Sequence, residues 1–254
     1  MIALALAFFA TALLYATVGF GGGSTYNALL VLGGTDYRAI TGIALICNIL
    51  VVSLGSWRFA AAGHVPWRRI WPLFTLSVPL AWLGGRIAVA ERTFIGLLAA
   101  SLLVAGLTMI FQRDRSAERG PRETPGLIEP LIGGGLGFLA GIVGIGGGIF
   151  LAPILHLIRW GRAKAIAGTC AVFILVNSIA GLAGQLLKND GFDRIGALQA
   201  HWQLLPAVVV GGFAGASIGS GPLRAHHLRY ATALLVLYVA VRLALRFFGL
   251  ASGS

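Results

Sequence analysis

Gly19-Phe20-Gly21-Gly22-Gly23 and Gly144-Ile145-Gly146-Gly147-Gly148 decide how the rest of this chain reads. Each glycine run interrupts a long apolar, helix-like segment and is followed by a shorter apolar run. Inside a bilayer an interrupted helix leaves backbone N–H and C=O groups without partners. That is tolerated only where the break is buried in protein or lines a polar cavity. A matched pair of breaks, one in each half of the chain, points to the binding site of a transporter.

The flanking composition suits lipid. Of 254 residues, 57% are hydrophobic and 11% are charged, against about 25% charged in a soluble domain. Mean hydropathy is +0.88. The net charge of +11 is spread over short loops, as positive-inside bias and contact with anionic headgroups require. It forms no single basic face, which argues against nucleic acid as a partner and for the lipid bilayer. Cys47 and Cys170 lie in apolar segments and suggest neither a disulfide framework nor a metal site. No Lys or Arg precedes Ile2, so the first segment is expected to be retained and not cleaved as a signal peptide.

Apolar segments recur at 2–33, 37–60, 69–90, 93–112, 127–158, 164–187, 200–222 and 228–248. Six of them have the roughly 20–24 residues that span a hydrocarbon core as helix. The other two, the first and the fifth, carry the glycine breaks and are too long for one straight crossing. Residues 113–126, rich in charge and with Pro121 and Pro125, form a solvated linker. It divides a first repeat at 1–112 from a second at 127–254. A shift of 125 superposes the glycine runs, and 126 lays Arg38–Gly42 on Lys164–Gly168 and Gly55 on Gly181. After an insertion near Lys188–Arg194, a shift of 134 pairs Pro72 with Pro206 and Gly85 with Gly219. The fold expected is therefore all-α, a polytopic membrane protein of about eight hydrophobic segments in two homologous four-segment repeats.

Charge bears on the topology. If segments one and five cross once, Lys and Arg divide almost evenly between the two sides. If they enter, turn at the glycines and return, the repeats are inverted. One side then gathers the linker with Arg58, Arg68, Arg69, Arg159, Arg162, Lys164, Arg224 and Arg229. The positive-inside rule prefers re-entry and a cytoplasmic linker. After the first break about ten apolar residues remain, roughly 15 Å of helix, which puts the turn near the midplane.

Glycine triplets allow positive φ and close approach of a ligand to the main chain. A helix starting just after each run aims unpartnered N–H groups and a positive dipole end at the gap. Two such ends facing each other would hold an anion without a charged side chain. The substrate contacts expected are Gly21, Gly22, Gly23 and Ser24 with Gly146, Gly147, Gly148 and Ile149. Asn48, Ser53, Asn177 and Ser178 would supply neutral assistance. Such polar residues, like Thr41, Ser56, Thr169 and Gln185, also serve as glue between helices, and both readings stay open. Gly133-x3-Gly137-x3-Gly141 and Gly211-x3-Gly215-x3-Gly219 read as tight packing stripes. The acidic residues all fall at segment ends or in loops, which suits an anionic cargo. Arg86 reads as a snorkelling helix-end residue, and Trp57, Trp67, Trp71, Trp160 and Trp202 as an interfacial belt.

Gly215-Ala216-Ser217-Ile218-Gly219 matches G-x-S-x-G, but a nucleophile elbow needs a strand–turn–helix setting. Here it lies in one apolar helix, and His201 on that helix is roughly 24 Å away. No enzyme is expected.

The run Gly144–Leu155 followed by Ala167-Gly168-Thr169 resembles the signature of the TauE/SafE family of membrane permeases, and the resemblance covers essentially the whole chain. The family is associated with sulfite, sulfonates and related organosulfur anions, often as an exporter. The resemblance implies no catalytic activity and no cofactor, and it carries the glycine motif onto Gly19, Gly21–Gly23, Gly144 and Gly146–Gly148. The first copy departs from the second: Ala28 stands where Pro153 does, and Ser24-Thr25-Tyr26-Asn27 is more polar than Ile149-Phe150-Leu151-Ala152. Thr169-Cys170 replaces the Thr-Ser frequent in the family. The expectation is an inner-membrane, multi-pass exporter of a small sulfur-containing anion working by alternating access. A passive anion channel and a non-transporting scaffold are the alternatives, and a homodimer is left open.

Overall fold

A computed structural model describes residues 1–111, 126–187, 199, 201–221 and 226–252. The linker expected at 113–126 and the insertion near Lys188–Arg194 therefore lie almost wholly outside the described residues. Those residues contain ten helices and no strand. They are α1 (Ile2–Thr17), α2 (Gly23–Leu32), α3 (Tyr37–Ala61), α4 (Trp67–Arg86), α5 (Glu91–Phe111), α6 (Ile128–Val143), α7 (Gly148–Leu157), α8 (Ala163–Leu186), α9 (Leu204–Ser220) and α10 (His226–Ser252). The helices α3, α5, α8 and α10 are long and apolar enough to cross a membrane, whereas α1, α6, α7 and α9 are shorter apolar helices.

Both glycine runs end one helix and begin another, with positive φ at two matched positions in each; Gly146, at φ 71°, adds a third that Gly21 does not share. Gly19 and Gly144, at φ 81° and 69°, take the chain out of α1 and α6 in the left-handed region. Gly22 and Gly147, at 89° and 77°, are the N-caps of α2 and α7. An L side chain is strained at all four. The closing hydrogen bonds correspond too: Phe20 N donates to Tyr15 O at 2.9 Å, and Ile145 N to Ala140 O at 3.2 Å. At the far ends, Thr35 N donates to Leu30 O and Trp160 N to Leu155 O. The left-handed turn there falls on Gly34 in one copy and on Arg159, at φ 54°, in the other.

After each break the chain folds back. Phe8 of α1 stacks on Tyr26 of α2 at 4.5 Å, and the Tyr15 hydroxyl meets Thr25 Oγ1 at 2.5 Å. Trp160, just beyond α7, donates its indole N–H to Glu129 at the start of α6, at 2.8 Å. Each ten-residue return helix is thus about 15 Å long and lies beside the helix that led into it.

Packing partners exchange in pairs. The glycine stripe of α6 lies parallel on α4, with Gly133, Gly137 and Gly141 against the carbonyls of Leu73, Ser77 and Ala81. The stripe of α9 lies parallel on α1, with Gly211, Gly215 and Gly219 against those of Phe9, Leu13 and Thr17. A Cβ at any of the six would run into backbone, which is how small residues let helix axes approach. The long helices pack the other way. Along α3 and α8, Asn48 meets Ser178, Gly55 meets Ala171 and Phe59 meets Gly168. Numbers rise in one helix as they fall in the other, so the pair is antiparallel. The helices α5 and α10 are antiparallel too, with Gly96 on Phe247 and Gly106 on Leu237.

Two sequence readings need correction. Trp57, Trp67, Trp71 and Trp202 are exposed, but Trp160 is fully buried, its indole taken by Glu129 and its ring covered by the Arg69 guanidinium at 4.6 Å. Glu129 lies at a segment end, as read, and is buried there. The segment read at 200–222 is helical only from Leu204, with His201 in the turn before it.

Candidate functional site

The two breaks meet in the interior, one side chain apart. Asn48, fully buried on α3, reaches both. Its Oδ1 accepts the Gly23 N–H at the start of α2, at 3.0 Å. Its Nδ2 donates to Ser178 Oγ on α8 at 2.8 Å, and stands 3.1 Å from where a Cβ on Gly146 would be. Helix N-termini leave such N–H groups without intrahelical partners. A glycine N-cap offers no capping side chain, so Asn48 fills that role from another helix. No acidic residue lies in the first turn of α2 or α7, so nothing there neutralises the positive helix ends.

Glycine is required here by space as well as by φ. A Cβ on Gly21 would overlap Asn48 Oδ1, and one on Gly23 would stand 3.0 Å from Asn48 Cγ. On the other side Gly148 would overlap Ile174, and Gly146 would come within 2.5 Å of Ile174 Cγ2 and 2.8 Å of Ser178 Oγ. The breaks also touch the opposite half of the chain crosswise: Gly19 lies on the Ala167 carbonyl and Gly144 on the Thr41 side chain.

Not every residue singled out in the sequence arrives at this junction. Gly21, Gly23, Gly146, Asn48 and Ser178 come together, with Gly148 alongside on Ile174. Gly22 turns instead toward Tyr26 and Thr11, and Gly147 toward Leu136 O, Ala140 and Phe173. Ser24 and Ile149 are buried in the first turns of α2 and α7. Asn177 is buried, but its Nδ2 is spent on Phe173 O of its own helix at 2.8 Å. Ser53 is on the exposed face of α3 and does not reach the site. Five residues after Asn48 it sits about 140° around the helix, on a different face.

Asn27 was not singled out. From α2 it donates to the carbonyls of Val143 and Gly144 at 2.8 and 3.3 Å, satisfying the last turn of α6 in the other repeat. Tyr15, Thr25 and Tyr26 form the remaining polar wall of the first break. The signal for Thr25, Tyr26 and Asn27 was the polar run Ser24–Asn27 itself; nothing in the sequence marked Tyr15.

Ser217 stands in uninterrupted helix α9 and donates to Phe213 O at 2.7 Å, which is ordinary back-bonding and no nucleophile elbow.

Residues 3–243 match the family model described as Sulfite exporter TauE/SafE. A probable membrane transporter protein of Sinorhizobium fredii is 37% identical over 249 residues, covering 95% of this chain and 97% of that protein. A probable membrane transporter protein of Methanocaldococcus jannaschii is 25% identical over 216 residues, covering 80% and 79%. No solved structure matches the chain.

Proposed function

The chain belongs to the sulfite exporter TauE/SafE family of multi-pass membrane transporters, and from that premise we propose that it exports a small sulfur-containing anion, sulfite or a short organosulfonate, across the cytoplasmic (inner) membrane by alternating access. The observation that carries this reading is the meeting of two glycine-broken helix starts at Asn48 and Ser178. Two positive helix ends converge there with small neutral donors and no acidic residue in either first turn. That is chemistry for an anion and not for a metal cation.

In this reading the repeats are inverted and the broken segments re-enter, each turning near the midplane. The antiparallel course of α3 against α8, which hold equivalent places in the two repeats, supports it. So does the fold-back that brings Trp160 to Glu129. Two repeats rocking about the α3–α8 seam would open the junction to one side at a time. The linker belongs on the cytoplasmic side by its charge.

The test is flux of sulfite and of methanesulfonate in proteoliposomes, comparing wild type with Gly22→Val and Gly147→Val. Saturable flux lost in both variants is the expected result. Flux unchanged in both ends the glycine-site proposal, and conductance without saturation would make the protein a passive anion channel.

A further inference from the structure

The two breaks share positive φ at their first and their N-cap glycines but differ in side chains. At the repeat shift of 126, Asn48 corresponds to Ile174 and Val52 to Ser178. Asn48 covers Gly21 and Gly23 of the first break, and Ile174 covers Gly146 and Gly148 of the second. The α2 start therefore faces a carboxamide, while the α7 start faces a hydrocarbon. The helices themselves repeat the contrast: Ser24, Thr25 and Asn27 are buried in α2, where α7 has Ile149, Phe150 and Ala152. One buried polar group at the first break has no partner. The Tyr26 hydroxyl, fully buried, reaches back to within 3.0 Å of the Cβ position of Gly22, the α2 N-cap, and makes no hydrogen bond.

Resting on the anion-transport reading above, we propose that the oxyanion is taken at the first break alone, at the Gly23 N–H, and that the Asn48 carboxamide is the group it displaces. Asn48 Oδ1 stands where an anion oxygen would stand, at 3.0 Å from Gly23 N. A buried N–H cannot be left without an acceptor, and Asn48 supplies a neutral one that keeps the empty site intact. A charged oxygen makes the stronger bond to that N–H and to the positive helix end, so exchange favours substrate once it arrives. Ser178 holds the carboxamide by its other end, at 2.8 Å, and so sets how readily it leaves. The Tyr26 hydroxyl adds a donor that has no present acceptor. At the second break Gly148, which opens α7, meets the hydrocarbon of Ile174 where Gly23 meets a carboxamide, so no side-chain amide caps that helix start for an anion to displace.

The sign of one substitution decides it. Sulfite and methanesulfonate binding to the full chain in detergent micelles is measured by isothermal titration calorimetry, with flux in proteoliposomes alongside. Asn48→Ala removes the competitor, and about tenfold tighter binding is expected, roughly the weight of one neutral hydrogen bond. Ser178→Ala only frees the carboxamide, and about threefold tighter binding is expected; it carries the decision if Asn48→Ala does not fold. Ile174→Ala is expected to stay within about twofold of wild type. Binding weakened or unchanged in Asn48→Ala or Ser178→Ala makes Asn48 a ligand or a strut and overturns the proposal. Equal tightening in Ile174→Ala overturns it as well, by making both breaks equivalent. If wild type binds and carries an anion but the signs are wrong, only this assignment falls. If wild type neither binds nor carries either probe, the transport reading falls and takes this with it.

Discussion

The indole N–H of Trp160 donates to the Glu129 carboxylate at 2.8 Å, joining the turn after α7 to the first turn of α6. Both groups are buried, and the Arg69 guanidinium lies over the indole face at 4.6 Å. A carboxylate out of water needs its hydrogen bonds, and one to a charged acceptor is worth more than an ordinary one. Trp160→Phe keeps an aromatic ring but deletes the donor and part of the packing, and should cost at least about 1–3 kcal/mol. Thermal unfolding in micelles checks this. An unchanged midpoint would mean that the hairpin is held by packing alone.

The parallel seams α4–α6 and α1–α9 rest on glycine meeting carbonyl. Alanine at Gly137 would drive its Cβ into Ser77 O, and at Gly215 into Leu13 O. Backbone cannot yield as a side-chain tip can, so each should destabilise by about 1–3 kcal/mol or more, the usual cost of overpacking. Gly135→Ala is the control on the same helix as Gly137: nothing lies within 4 Å of its Cβ position. There alanine should be neutral or gain a few tenths of a kcal/mol from helix propensity. Recovery of monodisperse protein and its melting midpoint separate the three variants.

Asn27 ties α2 to the end of α6 through the carbonyls of Val143 and Gly144. Asn27→Leu keeps the branched shape, though with more bulk, and strands those acceptors where no water replaces the amide. A loss of about 1–3 kcal/mol is expected, together with reduced flux, since Gly144 begins the second break. Asn27→Asp cannot donate in its ionised form and should fare no better, which flux and melting measurements on both variants would reveal.

The breaks and the packing stripes were legible in the sequence because each depends on glycine alone, where a missing Cβ has one physical meaning. Matched turns were legible for the same reason, with positive φ at Gly19 as at Gly144 and at Gly22 as at Gly147. The partners across the repeats were not, because the pairing of Asn48 with Ser178 depends on the register of α3 against α8. Trp160 misled because its place at a segment end gave no hint of Glu129 folding back beneath it. Ser53 is different, since helical periodicity alone separates it from Asn48. Ser53→Ala should therefore leave flux within about twofold of wild type, at the ±0.5 kcal/mol typical of a surface change. A large loss would put Ser53 in the pathway after all.

The register of α3 on α8 can itself be tested. A Cβ on Gly55 would lie 3.9 Å from that of Ala171, inside the roughly 3.5–4.5 Å span of a disulfide. The double variant Gly55→Cys with Ala171→Cys, built after replacing Cys47 and Cys170 with Ala, should cross-link under a membrane-permeant oxidant. With a protease site placed between Phe111 and Gly126, the cut halves should then stay joined until reductant is added. Parallel helices, or a slip by one turn of about 5.4 Å, would leave them separable. If the repeats rock against each other along this seam, the oxidised protein should also stop carrying anion and recover on reduction. Cross-linking without loss of flux would keep the register but rule out movement at Gly55, and would shift the hinge toward the α5–α10 pair.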